Sequence, residues 1–437
     1  MKKTLALLLC LLLALSLTAC GSGNNENGTS DTGNVVSPAG NSQNDAVKAL
    51  EKQYMGLTKD DLKWDYNSQT KTLIFSGKGP MMDYAEAAPA WDKYNGEAEK
   101  VVIGDEITSI GAAAFYGFSA LKEVKLGQAV EFIGENAFYY CFELRTVNFP
   151  APLQYVGAKA FYNNLLHSEN GFTFPEGMLY IGFEAFHSAF KENTVFIPAS
   201  LTEIEDGAFS NMFVAAFSVD ENNPRYASVD GVFFDKDITT LINYPADKRD
   251  TRYEIPSTVV TIRKDAIEAT NTLEKIVIPA SVSSIEEGAI FWNYALTSVD
   301  VAAENDNYKS ENGVLFTKDG KTLLCYPSAS DRTEYPVPQG TERIGNYAMS
   351  QAKNLKELHI GEGLTVIGDY GLYGCENLQK LGWPKSLTSI EDKAFEVCNA
   401  LTEIRYAGTS AEWKKVTIGK DNDLLTDGSV RVFCQDW

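Results

Sequence analysis

The chain has 437 residues, 44% of them hydrophobic and 22% charged, a balance that belongs to a folded protein rather than a low-complexity or collagen-like one. Its formal net charge of -21 argues against nucleic acid and against an anionic membrane surface as partners, since both repel an acidic chain.

Met1 to Cys20 reads as a targeting segment. Lys2 and Lys3 form a basic start, Leu5 to Leu17 an apolar run too short to span a bilayer comfortably, and Leu17-Thr18-Ala19-Cys20 a small-residue close. These four closing residues resemble the lipobox of bacterial lipoproteins. The resemblance implies that Cys20 is diacylated and becomes the first residue of the mature chain. Two acyl chains hold a protein to a membrane stably where one does not, and this lipid is the only membrane contact expected. Residues 21–44 are almost free of apolar side chains; they cannot offset the entropy of ordering and read as a disordered tether. Residues 45–100 read as an N-terminal β-rich cap. Ala46 to Tyr54 fits a short helix, and Trp64 to Ser76 fits two strands around Asn67-Ser68-Gln69, with Leu73 and Phe75 on one face. Trp64 and Trp91 are expected in the core of the cap.

From residue 101 to 406 the sequence repeats. Ile110, Ile133, Val156, Ile181 and Ile204 are separated by 23, 23, 25 and 23 residues, and Ile262–Ile285 and Ile344–Ile367–Ile390 keep the spacing of 23. An Ala-Phe pair follows in register, at Ala114-Phe115, Ala137-Phe138 and onward, relaxed to Ala266-Ile267 or Gly371-Leu372 in some copies. A fixed period in the low twenties marks a solenoid whose coils are too small to bury their own apolar faces. The expected fold is an α/β solenoid: a leucine-rich-repeat-like array of about ten 23-residue coils, with a parallel β-sheet, short helical turns at Ala-Phe, and two β-hairpin insertions. Alternation within Leu144–Phe149 predicts a strand in each coil, stopped by a proline such as Pro150 or Pro198.

Two intervals break the period, Ile204 to Ile262 and Ile285 to Ile344. The insertions, placed at 220–254 and 302–338, match each other. Tyr226, Phe234 and Tyr244 recur 82 residues later as Tyr308, Phe316 and Tyr326. VFFDKDITTLINYP and VLFTKDGKTLLCYP each read as a hairpin turning at Lys-Asp. Their shared exit point predicts a ridge of two hairpins on one flank, a candidate binding site built on those six aromatics. The rival candidate is the outward row of the sheet, assigned by period two to Lys125, Asn148, Thr173, Phe196, Ser218, Val277, Asp300, His359, Gly382 and Arg405. Residues 407–437 read as a C-terminal cap that Trp413 seals.

Ile-Pro-x-Ser-Leu-Thr-x-Ile followed by Ala-Phe, as at 197–209, resembles the BspA-like leucine-rich-repeat family. The resemblance covers residue 101 to the C-terminus and extends to GKGPMMDY and PAW in the cap. It implies a curved solenoid on a bacterial surface, adhesive in some members, and offers no ligand-site motif to transfer.

Catalytic and metal signatures are absent from the sequence. His167, His187 and His359 lie in no metal-ligand spacing, and no nucleophile or phosphate-binding motif occurs. Glu304-Asn305-Asp306 and Asp421-Asn422-Asp423 lack the ligand periodicity of a calcium loop. Five cysteines remain beyond Cys10 and Cys20, an odd number that excludes a full disulfide framework. Cys375 and Cys398, one period apart, are close enough for a disulfide or for two buried thiols. The sequence therefore reads as a non-catalytic monomer without cofactor. It is lipid-anchored outside the cell and binds a protein or cell-surface ligand through its solenoid. The alternatives are a solute- or glycan-binding lipoprotein, which needs a second lobe the array does not leave, and an enzyme with its site in the cap.

Overall fold

The computed structural model describes residues 41–84, 88–168 and 171–436. Residues 1–40, with the expected signal segment, Cys20 and most of the expected tether, lie outside the described residues.

Each coil contributes three short stretches of backbone to three ladders. On the long-strand face, Thr72–Ser76, Lys100–Ile103, Glu123–Lys125 and Thr146–Asn148 pair in parallel, with Lys63–Asn67 antiparallel at the outer edge. On the short-strand face, Ile107–Ile110, Phe132–Ile133, Tyr155–Val156, Tyr180–Ile181 and Glu203–Ile204 follow one another in register. The Ala-Phe segments form the third ladder: the Phe115 N–H donates to the Ala137 carbonyl and the Phe138 N–H to the Ala160 carbonyl, both at 2.8 Å. The result is a parallel-strand β-solenoid of about 13 turns of roughly 23 residues, with few helices.

The repeat motif follows from this stacking. The branched residue and the Phe point inward; Ile133 and Phe138 are fully buried, and Phe115, Phe138, Phe161 and Phe186 stack ring on ring at 5.2 Å. The Gly after the branched residue lies against the previous coil: a Cβ on Gly134 would sit 2.6 Å from the Ala112 nitrogen. The Ala-Phe segment is a turn and not the helical turn the sequence predicts. It is bracketed by two left-handed residues, Asn136 (φ 56°) and Tyr140 (φ 57°) in the second coil, and the same pair of positions recurs along the array. This backbone turns the peptide groups outward along the stack, so their hydrogen bonds run between coils instead of within a helix.

The cap strands stand where predicted, at Lys63–Asn67 and Thr72–Ser76, with Leu73 and Phe75 buried. They do more than cover an end. Thr72–Ser76 and Gly79–Pro80 are the first rungs of the two strand ladders, so the cap is itself a coil. Trp91 is buried, donates Nε1 to the Ala114 carbonyl at 2.8 Å and meets Trp64 edge-on at 5.9 Å. The N-terminal helix is longer than predicted, Asn41–Tyr54, and takes in the last residues assigned to the tether. At the other end Trp413 packs on Trp383 at 5.1 Å and on Tyr406 at 5.5 Å.

The insertions differ most from expectation. Each is a three-stranded antiparallel meander, Tyr226–Val229, Val232–Asp235, Thr240–Asn243 and its copy Tyr308–Glu311, Val314–Thr317, Thr322–Cys325. The predicted Lys-Asp hairpin is its second half. The first half turns at Asp230-Gly231 and Asn312-Gly313, both residues of each pair having positive φ, the conformation of a two-residue hairpin turn. The third strand does not leave the array. Thr240–Asn243 pairs in parallel with Thr261–Ile262, and Thr322–Cys325 with Arg343–Ile344. Each insertion thus supplies a further full coil, which is why the array has more turns than motif copies.

Candidate interaction surface

The meanders cut the core into three segments. The first runs from Leu73 to Phe233, the second from Val232 to Cys325, the third from Val314 to Cys434. Tyr226 and Tyr308 close the cuts. Where a strand partner ends, the Ile204 N–H donates to the Tyr226 hydroxyl at 3.0 Å, and the Ile285 N–H donates to the Tyr308 hydroxyl at 2.7 Å. Asn223 and Asn305 start the meanders. Both are fully buried, donate Nδ2 to two carbonyls of the preceding coil, and accept two backbone N–H bonds through Oδ1. Asn305 lies in one of the acidic runs considered for calcium; it is a backbone clamp.

The predicted hairpin ridge is therefore not a surface. Tyr226, Phe234, Tyr244, Tyr308, Phe316 and Tyr326 are all buried in the core. Their recurrence every 82 residues records duplicated packing.

The outward row of the long-strand face is largely as predicted. Lys125, Asn148, Thr173, Phe196, His359 and Arg405 are exposed, and Ser218, Val277, Asp300 and Gly382 are half-buried. Lys125 pairs with Asn148, Thr173 with Phe196, Phe196 with Ser218, Val277 with Asp300, and His359 with Gly382 and then Arg405. The single continuous row becomes four shorter ones, because the long strands form four sheets. Some members are already engaged. Asn148 exchanges hydrogen bonds with the Leu126 backbone, Asp300 accepts from Lys275 and Ser298, and Arg405 donates to Glu403. Cross-strand pairs such as Lys100–Glu123 (2.6 Å) and Lys380–Glu357 (2.7 Å) neutralise much of the face locally.

The short-strand face is partly covered. Phe132, Tyr155 and Tyr180 stack at 4.3 and 4.5 Å, and Val47, Leu50 and Tyr54 of the N-terminal helix bury them. The Tyr54 hydroxyl reaches Glu131 at 3.0 Å and the Tyr155 hydroxyl reaches Glu51 at 3.3 Å.

The turn face carries a feature the sequence reading missed. The residue after the inward Phe is aromatic in coil after coil: Tyr116, Tyr139 and Tyr162 stack at 5.0 Å, and His187 continues the stack at 4.5 Å. Tyr116, Phe142 and Leu165 leave large apolar surfaces about half exposed here. Burial pushes the His187 imidazole down to about 4, so it is neutral and cannot act as a cation at ordinary pH.

Cys141, Asn164, Asn293, Cys375 and Cys398 occupy one inward position of the repeat. In these five coils the side chain donates to a carbonyl of the preceding coil, at 2.9 to 3.3 Å, while Phe118, Ala189, Met212 and Ala352 fill the same position without a donor. Cys375 and Cys398 are free thiols in this role. Among the described residues no group of three His, Cys, Asp or Glu side chains stands where it could hold a metal ion, and no helix is long and apolar enough to cross a membrane.

Stacked coils, parallel ladders that run from coil to coil within each segment, and laterally displayed side chains define a repeat protein of the solenoid class. The BspA type leucine rich repeat region matches residues 93–215, 248–314 and 325–417, in six copies. The chain belongs to this family. Among solved structures it is similar to a leucine-rich repeat protein from Eubacterium ventriosum, at 25% identity over 79% of this chain and 82% of that one, with a TM-score of 0.55. It is also similar to a leucine rich cell surface protein from Faecalibacterium prausnitzii, at 22% identity over 82% and 97% of the two chains, with a TM-score of 0.49. No curated protein matches the chain.

Proposed function

We propose that the protein is a lipid-anchored bacterial surface protein that binds a protein or cell-surface ligand through the side of its solenoid, without catalysis. The observation that carries this reading is the register of the long-strand face. Stacked coils present Lys125 beside Asn148 and Phe196 beside Thr173 and Ser218, an array of spaced contacts on a rigid support. The membership in a leucine-rich-repeat family supports it. Anchoring rests on Cys20 and the lipobox-like residues before it.

A second reading places the ligand on the turn face, because Tyr116, Phe142 and Leu165 are exposed together there and clustered apolar surface marks contact sites. Two variants separate the readings. Lys125→Glu with Phe196→Asp and Arg405→Glu alters the sheet row; Tyr116→Ser with Phe142→Ser and Leu165→Ser alters the turn face. Both should fold, since these side chains are exposed. Loss of binding in the first alone supports the sheet row, and loss in the second alone transfers the site to the turn face. For the anchor, Cys20→Ala should move the protein from the membrane fraction to the soluble one. A variant that stays membrane-bound after processing would refute the lipid at Cys20.

A further inference from the structure

We infer that the joint between the first and second core segments is a hinge that closes in acid and loosens as the pH rises.

The two joints of the array have the same architecture and different fillings. At the second, Phe291 and Trp292 of one segment meet Tyr347 of the next at 4.4 and 6.0 Å, and Trp292 also meets Tyr373 at 5.8 Å. Arg343 adds paired carboxylates, Glu287 at 3.1 Å and Glu391 at 3.0 Å. At the first joint those places hold polar groups. Ser210 and Asn211 stand in coil register with Phe291 and Trp292, and Asp265 stands in register with Tyr347. The Ser210 hydroxyl donates to Asp265 at 3.3 Å, and the Asn211 N–H donates to Glu268 in a short bond. Around them the strand ladders are interrupted. Direct bonds across the joint include Arg263 to Asp206, Asn243 Nδ2 to the Phe209 carbonyl, the Ile204 N–H to Tyr226 and the Asp247 N–H to the Val214 carbonyl.

Glu268 is buried and Asp265 half-buried, both on one side of a joint where the strand ladders break. Glu184 faces both from the first segment, Glu286 faces Asp265 from the coil behind, and Lys264 is a cation facing both; Arg263 is held by Asp206. Tyr162, Tyr294 and Tyr347 surround the pair and add no positive charge. Burial, assisted by Glu184 and Glu286, pushes the Asp265 carboxyl from 3.8 up to about 6, and burial with Asp265 beside it raises Glu268 well above the usual carboxylate range. A carboxyl whose folded pKa is raised binds its proton more tightly in the closed joint. The contribution to closure is full below the ordinary carboxylate pKa and is lost as pH climbs through the raised value. For Asp265 that window runs from 3.8 to about 6, and Glu268 extends it upward. His187, one coil away and pushed down to about 4, is neutral in the folded chain at both pH values of the test below.

Hydrogen exchange of the full chain tests this with its own control. Protection of residues 207–212 and 264–269 is compared with that of 288–294 and 346–352, at about pH 5 and about pH 7.5, after correction for intrinsic exchange. Opening of the first joint should rise about tenfold between these pH values, because each unit of pKa difference is a factor of ten in the equilibrium, while the second joint stays unchanged. Glu268→Gln with Asp265→Asn should remove the difference. Equal pH response at both joints, no response at the first, or a full response in the double variant would overturn the inference. The wild-type comparison decides alone if the variant does not fold.

Discussion

Deleting residues 222–249 and bridging the gap with a short Gly-Ser link should abolish cooperative folding. A surface hairpin would be dispensable, but this segment holds Tyr226, Val232, Phe233, Phe234, Leu241 and Tyr244, all buried. At ~1.5–3 kcal/mol for each buried side chain, the loss of these six is comparable to the ~5–15 kcal/mol of net stability that a domain holds. The deletion also removes Thr240–Asn243, the rung on which Thr261–Ile262 stacks. Far-UV circular dichroism during thermal melting, with size-exclusion chromatography, reads the outcome. A soluble monomer with a single sharp transition near that of the parent would mean the meander is not a coil of the array.

Phe138→Ala is the second large effect. Phe138 is fully buried, stacked between Phe115 and Phe161 at 5.2 Å on each side, with its backbone fixed by the turn ladder. The neighbouring rings are pinned by their own coils and cannot collapse into the space. Truncation should therefore cost ~3–5 kcal/mol, measured as a lowered denaturant midpoint. In a stacked array each coil also carries the interface to the next, so the loss should appear in the transition of the whole first core segment. A change under ~1 kcal/mol would place Phe138 outside the core.

The period made the array legible before any coordinates. Ile133 and Phe138 are inward because a residue fixed every 23 positions lines one side of every coil. The helical reading of Ala-Phe failed for a local reason. The turn needs left-handed backbone at residues such as Asn136, Lys159, Glu184 and Lys393, and most of these are not glycine or asparagine, so propensity does not reveal them. The insertions were misjudged because their extra coil lacks the Ile-Gly and Ala-Phe marks. The signal for a full meander was present in Asp230-Gly231 and Asn312-Gly313, a strong two-residue hairpin signature. The helix on the short-strand face was legible too. The residue before the branched position is polar or small at Ser109, Glu203, Thr261 and Ser284, but aromatic at Phe132, Tyr155 and Tyr180, which marks three neighbouring coils as covered. The row on the long-strand face emerged from period two alone. Its breaks did not, because they arise where successive sheets separate.

The proposal that the side of the solenoid is a binding surface is tested most directly by retention of partner cells and host extracellular proteins on the immobilised chain from residue 21 onward. The sheet-row and turn-face variants are run in parallel. The account predicts saturable retention by the wild-type chain, lost on altering the sheet row and kept on altering the turn face. Retention that survives in both variants, or none above that of an unrelated acidic protein, would contradict it.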